Sequence, residues 1–123
     1  MRSRLRKLHV DGREFTWKAD LRDTSGVDGR LYRCIRVRVW GAGKNGRALQ
    51  ADLTEWPYPA HWEEKYPYPT AENVRELARY AISIGWAPEA VGGTFRITAA
   101  ADVALPGFAV TDLLSATEEP HQL

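Results

Sequence analysis

The residues that could ligate a metal or act as acids and bases are few and widely spaced in this chain. Its three histidines, His9, His61 and His121, are far apart, and His61 and Glu64 stand three residues apart. A structural or catalytic zinc site needs paired Cys or His ligands at short spacings, and no second pair accompanies this one. The sequence therefore predicts no metal site and no cofactor.

Cys34, the single cysteine, is a candidate nucleophile and stands between Arg33 and Arg36. Neighbouring cations can lower a thiol pKa and make it reactive. A free cysteine in a strand is more often a small packed side chain, and we favour that interpretation. The "GAGKNG" loop at 41–46 lacks the spacing of a phosphate-binding loop, and no histidine is placed to serve a nucleophile. We expect no catalytic residue and no enzymatic activity.

Basic residues alternate with apolar ones in the best strand candidate, 31–40, "LYRCIRVRVW". Because side chains alternate across a strand, Ile35, Val37 and Val39 would point to one side of a sheet. With the neighbouring strands added, the other side would carry a basic and aromatic set: Lys18, Arg36, Arg38, Trp40 and Arg96.

A basic sheet face with an aromatic residue can hold single-stranded nucleic acid through phosphate contacts and base stacking. The alternative is a solvated face with cross-strand pairs, such as Arg38 with Asp52 or Gln50. A sequence pI of about 7.9 lies below the range typical of nucleic-acid-binding domains and favours this alternative.

Residues 54–69, "TEWPYPAHWEEKYPYP", hold four of the seven prolines. This composition favours an extended backbone. Tyr and Trp provide rigid amphipathic area that suits protein interfaces, which predicts partner binding by the five aromatic residues Trp56, Tyr58, Trp62, Tyr66 and Tyr68. The alternative is a linker that packs its own aromatics over the sheet edge.

The elements that would position these residues are two hairpins, a linker, a helix and a strand. Asp11-Gly12 between two strand-like runs predicts the first hairpin, because a type I′ turn needs positive φ at both positions. The remaining expectations are a polar loop at 20–30, a second hairpin from 31–40 and 47–53, a helix at 71–84 and a strand at 94–98.

The predicted fold class is α+β: a mostly antiparallel sheet with one amphipathic helix on one face. Thr70 and Gly85 are suitable as the N-cap and C′ residues of that helix. Segment 107–114 could form a final strand or an irregular cover, and 115–123 is expected to fray. The predicted core comprises Phe15, Trp17, Ile35, Val37, Val39, Leu49, Leu53, Val74, Leu77, Ile82, Phe95 and Ile97.

Length and charge set the wider limits. The 123 residues predict a single domain at 1–123, with no apolar run long enough to span a bilayer and no secretory signal, so we expect a cytoplasmic location. Residues 1–50 have a net charge of +8 and residues 51–123 a net charge of −7. Either the halves neutralise each other across the fold, or the first half forms a basic face for an acidic partner.

The block "YPTAENVRELARYAISIGWAPEAVGGTFRIT" follows Trp-bearing strands and resembles small uncharacterised actinobacterial proteins. Those look like β-rich chains with one helix–Gly-Trp–x–Pro unit near the C-terminus. The resemblance covers 4–98, is carried by 74–95, and implies no activity or site.

These observations lead to a binding function rather than a catalytic one. The first hypothesis is a protein-interaction module, of accessory or immunity type, whose partner is another protein or a second copy of the chain. The alternative is nucleic-acid binding through the basic sheet face. Neither hypothesis involves a membrane.

Overall fold

A computed structural model describes residues 5–25, 28–41, 46–55 and 68–118. In this part of the chain the elements in sequence order are β1 (Arg6–Val10), β2 (Arg13–Ser25), β3 (Leu31–Trp40), β4 (Ala48–Glu55), α1 (Ala71–Ser83), β5 (Thr94–Ile97), β6 (Phe108–Val110) and α2 (Leu113–Glu118). The six strands form one mostly antiparallel sheet, which confirms the predicted α+β fold class.

The strands lie in the order β1-β2-β3-β4-β5, and the first four form an antiparallel meander. The outer edge of β4 is shared by two strands. Its first half, 48–51, pairs in parallel with β5, and its second half, 53–55, pairs antiparallel with β6. The chain therefore passes through α1 between two neighbouring parallel strands, as such connections require.

The first hairpin is confirmed, with φ of 49° at Asp11 and 81° at Gly12, as a type I′ turn requires. The polar loop predicted at 20–30 is wrong over its first half. Strand β2 continues through Ser25 and pairs with the whole of β3, from Thr16 opposite Trp40 to Ser25 opposite Leu31. Backbone pairing with β3 outweighs the weak strand propensity of "DLRDTS".

Helix α1 has the predicted ends. The Thr70 side chain accepts from the Asn73 backbone N–H, and the Asn73 side chain accepts from the Thr70 N–H, which completes a capping box. At the other end the Trp86 N–H donates to the Ala81 carbonyl at 2.8 Å and the Gly85 N–H donates to the Ile82 carbonyl at 3.2 Å. These two bonds are those of a Schellman motif.

The main core lies between α1 and one face of the sheet, here called the α1 face. Ten of the twelve predicted core residues are buried there, and Ile82 and Phe95 pack against them partly buried. Trp86 adds to this core: its ring lies 5.8 Å from that of Phe15, and its Nε1–H donates to the Arg47 carbonyl at 2.9 Å.

The opposite side of the sheet, the second face, is partly covered by α2. This helix follows β6 at one edge yet packs against β2, so it crosses the intervening strands. Because α1 occupies the other face, and because Leu114 is buried without belonging to the α1-side cluster, α2 lies on the second face. It reaches Glu118, into the segment predicted to fray; residues 119–123 lie outside the described residues. No described helix is long and apolar enough to cross a membrane.

Candidate functional site

The register of four strands brings cationic residues into one line on the second face. Lys18 is opposite Arg38, Arg38 is opposite Gln50, and Gln50 is opposite Arg96. We call Lys18, Arg38 and Arg96, with Gln50 between the two arginines, the basic row. Neighbouring strands are about 4.8 Å apart, so the row extends about 14 Å across β2, β3, β4 and β5. Three of the five residues predicted for nucleic-acid binding are therefore brought together.

Arg38 is oriented by its neighbour on β4. Its Nε–H donates to the Gln50 side-chain oxygen at 2.9 Å, and Gln50 is only 7% exposed. Its remaining guanidinium N–H groups have no hydrogen-bond acceptor among the residues that the structure describes. Arg38 is half-buried, so its contacts within the protein, rather than solvent, fix the direction of its remaining N–H donors.

The other two cations of the row are more accessible. Arg96 is exposed on β5, and the Lys18 side chain is 34% exposed. The Lys18 ammonium is 3.7 Å from the Asp20 carboxylate, longer than a hydrogen bond, so this contact is a weak ion pair between two half-buried side chains. Both residues can therefore contact an anionic ligand.

Trp40, the predicted stacking residue, lies next to this row. It is opposite Thr16 on the second face, two residues along β3 from Arg38, and is half-buried. A half-exposed indole next to cations has the geometry that base stacking uses.

Arg36, the fifth predicted residue, lies on the same face but has a different environment. It is 7% exposed, and its Nε–H and Nη2–H donate to the two carboxylate oxygens of Asp52 at 2.8 and 3.0 Å. The expected alternative of cross-strand pairing is thus realised as Arg36 with Asp52 and Arg38 with Gln50. The buried pair also joins the basic first half of the chain to the acidic second half. Arg36 is consequently part of the scaffold beneath the face.

The second face has an excess of positive charge in the described part of the chain. Side chains that alternate onto it include six Lys or Arg against three Asp or Glu, namely Lys7, Lys18, Arg22, Arg36, Arg38 and Arg96 against Glu14, Asp20 and Asp52. One of these carboxylates, that of Asp52, is fully engaged by Arg36. Because Arg36 and Asp52 neutralise each other, the described strands leave this face with five Lys or Arg against two Asp or Glu.

Cys34 lies on the same face and is fully buried. Burial, aided by the carboxylates of Asp52 and Asp23, raises the pKa of its thiol to about 11. This direction is opposite to the one that the flanking arginines suggested, because burial has the largest effect on the thiol. The interpretation as a packed side chain holds.

Most of the aromatic segment lies outside the described residues, including Trp56, Tyr58, Trp62 and Tyr66, so partner binding by this segment stays a prediction. Tyr68 is described and is 43% exposed. Its hydroxyl donates to the Ala19 carbonyl of β2, and burial of that hydroxyl raises its pKa. The chain is thus fastened to β2 just before α1 begins.

In the described ranges, no three His, Cys, Asp or Glu side chains lie close enough together to hold a metal ion. His9 is exposed on β1 opposite Glu14, while His61 and His121 fall outside those ranges.

The sequence did not predict that α2 covers part of the second face, because only the paired apolar residues Leu113 and Leu114 indicate it.

Comparison with protein-family models, with curated proteins and with solved structures finds no match to this chain. The fold and the site therefore define it only as a small α+β domain with a basic sheet face.

Proposed function

We propose that this protein is a non-catalytic binding protein that holds single-stranded nucleic acid on its second face. The observation that carries the proposal is the alignment of Lys18, Arg38 and Arg96 in one row with Trp40 beside it. A nucleic-acid strand lying along the row would meet a cation on three of the four strands that it crosses. This arrangement supplies a basic track and a stacking platform, the two parts of sequence-tolerant single-strand binding.

The scaffold supports this function by directing Arg38. A guanidinium already fixed through its Nε–H loses less side-chain entropy when its other donors meet a phosphate. The Arg36–Asp52 pair beneath the face keeps a carboxylate from competing with that phosphate for the row. Binding would depend on charge and stacking, so we expect little preference among base sequences.

The test is fluorescence anisotropy with labelled oligo(dT) and oligo(rU) of about 12 nucleotides, within the usual site size of such binders, over a range of salt concentrations. Each phosphate contact on a single strand contributes about 0.7 to the slope of log K against log salt. The triple variant Lys18→Gln/Arg38→Gln/Arg96→Gln should bind weakly and lower that slope by about 2.

A matched control removes the same number of charges elsewhere. Arg13, Arg75 and Arg79 have side chains exposed or half-exposed away from the second face, and their triple Gln variant has the same net charge as the test variant. It should keep most of the affinity. Equal losses in both variants would mean that net charge alone drives binding, and the proposed site would be wrong.

Stacking is tested separately at Trp40. Trp40→Leu should lower the affinity by about 5- to 150-fold, equivalent to about 1–3 kcal/mol for one stacked base, and leave the salt slope unchanged. Absence of binding by the unmodified protein at low salt would refute the proposal outright.

A further inference from the structure

Among the residues that the structure describes, one edge of the sheet has no partner strand along half of β2. Strand β1, in its described part, pairs with β2 over Arg13–Trp17. From Ala19 to Ser25, β2 pairs with β3 on one side and with no described strand on the other. Leu21 is 51% exposed in the middle of this edge. Exposed strand edges are templates for pairing with another strand.

The hairpin turn shows which backbone groups this edge presents. In a two-residue turn the Arg13 N–H donates to the Val10 carbonyl, so the backbone of Arg13 points toward β1. Backbone direction alternates along a strand, and Ala19, Leu21 and Asp23 therefore direct their N–H and C=O groups away from β3. The hydrogen bond from the Tyr68 hydroxyl to the Ala19 carbonyl agrees with this direction of the backbone groups.

We propose that two copies of this chain join antiparallel along this edge, with Leu21 facing Leu21 of the partner subunit across a two-fold axis. In that register Asp20 faces Arg22 of the partner subunit, and Arg22 faces the partner's Asp20. Two reciprocal ion pairs on the second face thus flank an apolar contact on the α1 face. The edge is self-complementary, as a two-fold interface must be.

The charges select this register. The two nearest registers that keep the same backbone groups facing the partner are shifted by two residues. One of them places Asp20 against the partner's Asp20, and the other places Arg22 against the partner's Arg22. Like charges directly opposite each other destabilise a strand pair. The Tyr68 hydroxyl uses one of the two lone pairs of the Ala19 carbonyl oxygen, and the other can accept from the partner's Asp23 N–H. The hydrogen-bonded pairing between the two subunits would therefore end at Ala19.

The experiment uses sedimentation velocity and light scattering on the intact chain. Asp20→Arg and Arg22→Asp each create two repulsive pairs and should weaken the dimer by about 10- to 100-fold. An equimolar mixture of the two variants restores every pair and should form a heterodimer. The double variant Asp20→Arg/Arg22→Asp should regain self-association.

Control variants separate this interface from other effects. Asp102→Arg makes the same charge change at an exposed site away from β2 and should leave the dimer unchanged. Asp20 and Arg22 also have interactions within their own chain, such as that of Asp20 with Lys18, so thermal melts accompany the single reversals. Leu21→Lys, at a half-exposed position, provides a second variant that should dissociate the dimer if either reversal fails to fold.

A wild-type chain that stays monomeric at its highest soluble concentration would overturn the proposal. So would a dimer that tolerates both single reversals and Leu21→Lys, or a mixture of the two reversals that stays monomeric. The interface is independent of the proposed nucleic-acid function, because neutralising the basic row should not change the oligomeric state.

Discussion

The buried ion pair between Arg36 and Asp52 gives the sharpest test of the site's construction. The two side chains are 8% and 4% exposed, and two hydrogen bonds of 2.8 and 3.0 Å join them. Asp52→Ala would leave the Arg36 guanidinium buried without its carboxylate. Removing one partner of a buried pair lowers the free energy of unfolding by about 3–5 kcal/mol. Natural domains have only about 5–15 kcal/mol in total, so the variant should be near the limit of stability.

Replacing both partners should behave differently. In Arg36→Leu/Asp52→Leu no charge remains buried, and apolar side chains of similar volume fill the same space beside Cys34. Such replacements are often neutral or stabilising. The double variant should therefore be more stable than Asp52→Ala, although it has lost the same pair of hydrogen bonds.

Urea unfolding followed by tryptophan fluorescence and far-UV circular dichroism measures these differences, and a double-mutant cycle isolates the coupling between the two residues. The exposed pair of Lys7 and Glu14, which also joins two side chains of the second face, is the control and should show no measurable coupling. A surface ion pair contributes less than about 1 kcal/mol, so Asp52→Ala would lower the free energy of unfolding by only that amount if the pair were exposed. That result would mean that Arg36 is solvated and available to a ligand, and our assignment of it to the scaffold would be refuted.

Four further predictions concern three single positions. Gly85→Ala should lower the free energy of unfolding by about 1–2 kcal/mol, because φ there is 122° although space for a Cβ is open, and an unchanged melting temperature would contradict this reasoning. Tyr68→Phe should cost about 0.5–1.5 kcal/mol for the lost bond to the Ala19 carbonyl, measured by urea unfolding; no loss would mean that the hydroxyl is equally well solvated. Cys34 should react with iodoacetamide at pH 8 far more slowly in the folded than in the urea-unfolded protein, and equal rates would show that the thiol is accessible. Because folding raises the pKa of that thiol from 9.0 to about 11, its contribution to stability should be full below pH 9 and decline as the pH rises toward 11.

Local patterns were sufficient to predict much of this fold. The first hairpin follows from Asp11-Gly12, whose turn needs no distant partner. Alternation in β3 and β4 correctly assigned residues to the two faces, because the side-chain period of a strand is independent of its neighbours. The ends of α1 follow from Thr70 and Gly85, which satisfy backbone groups within one turn.

Features that depend on distant parts of the chain were not predictable in the same way. Strand β2 extends through Ser25 because β3 supplies its backbone partners, and nothing in "DLRDTS" indicates this. The exact register decides whether Asp52 meets Arg36 or Arg38, and a shift of two residues exchanges these partners. Helix α2 packs against β2, so its position across the second face is set only once the sheet has formed.

The parallel pairing of β4 with β5 also affects how the chain folds during synthesis. The four-stranded meander is complete at Glu55, but α1 ends at Ser83, 28 residues later. Because synthesis adds about 5–20 residues per second, the α1 face would remain without α1 packed on it for roughly 1–6 s. During that interval Phe15, Trp17 and Leu53 would be exposed to water, while the charged second face would keep the other side of the sheet hydrated. A chain truncated before α1 should therefore aggregate through one face only, and that face is where we expect a chaperone to bind the nascent protein.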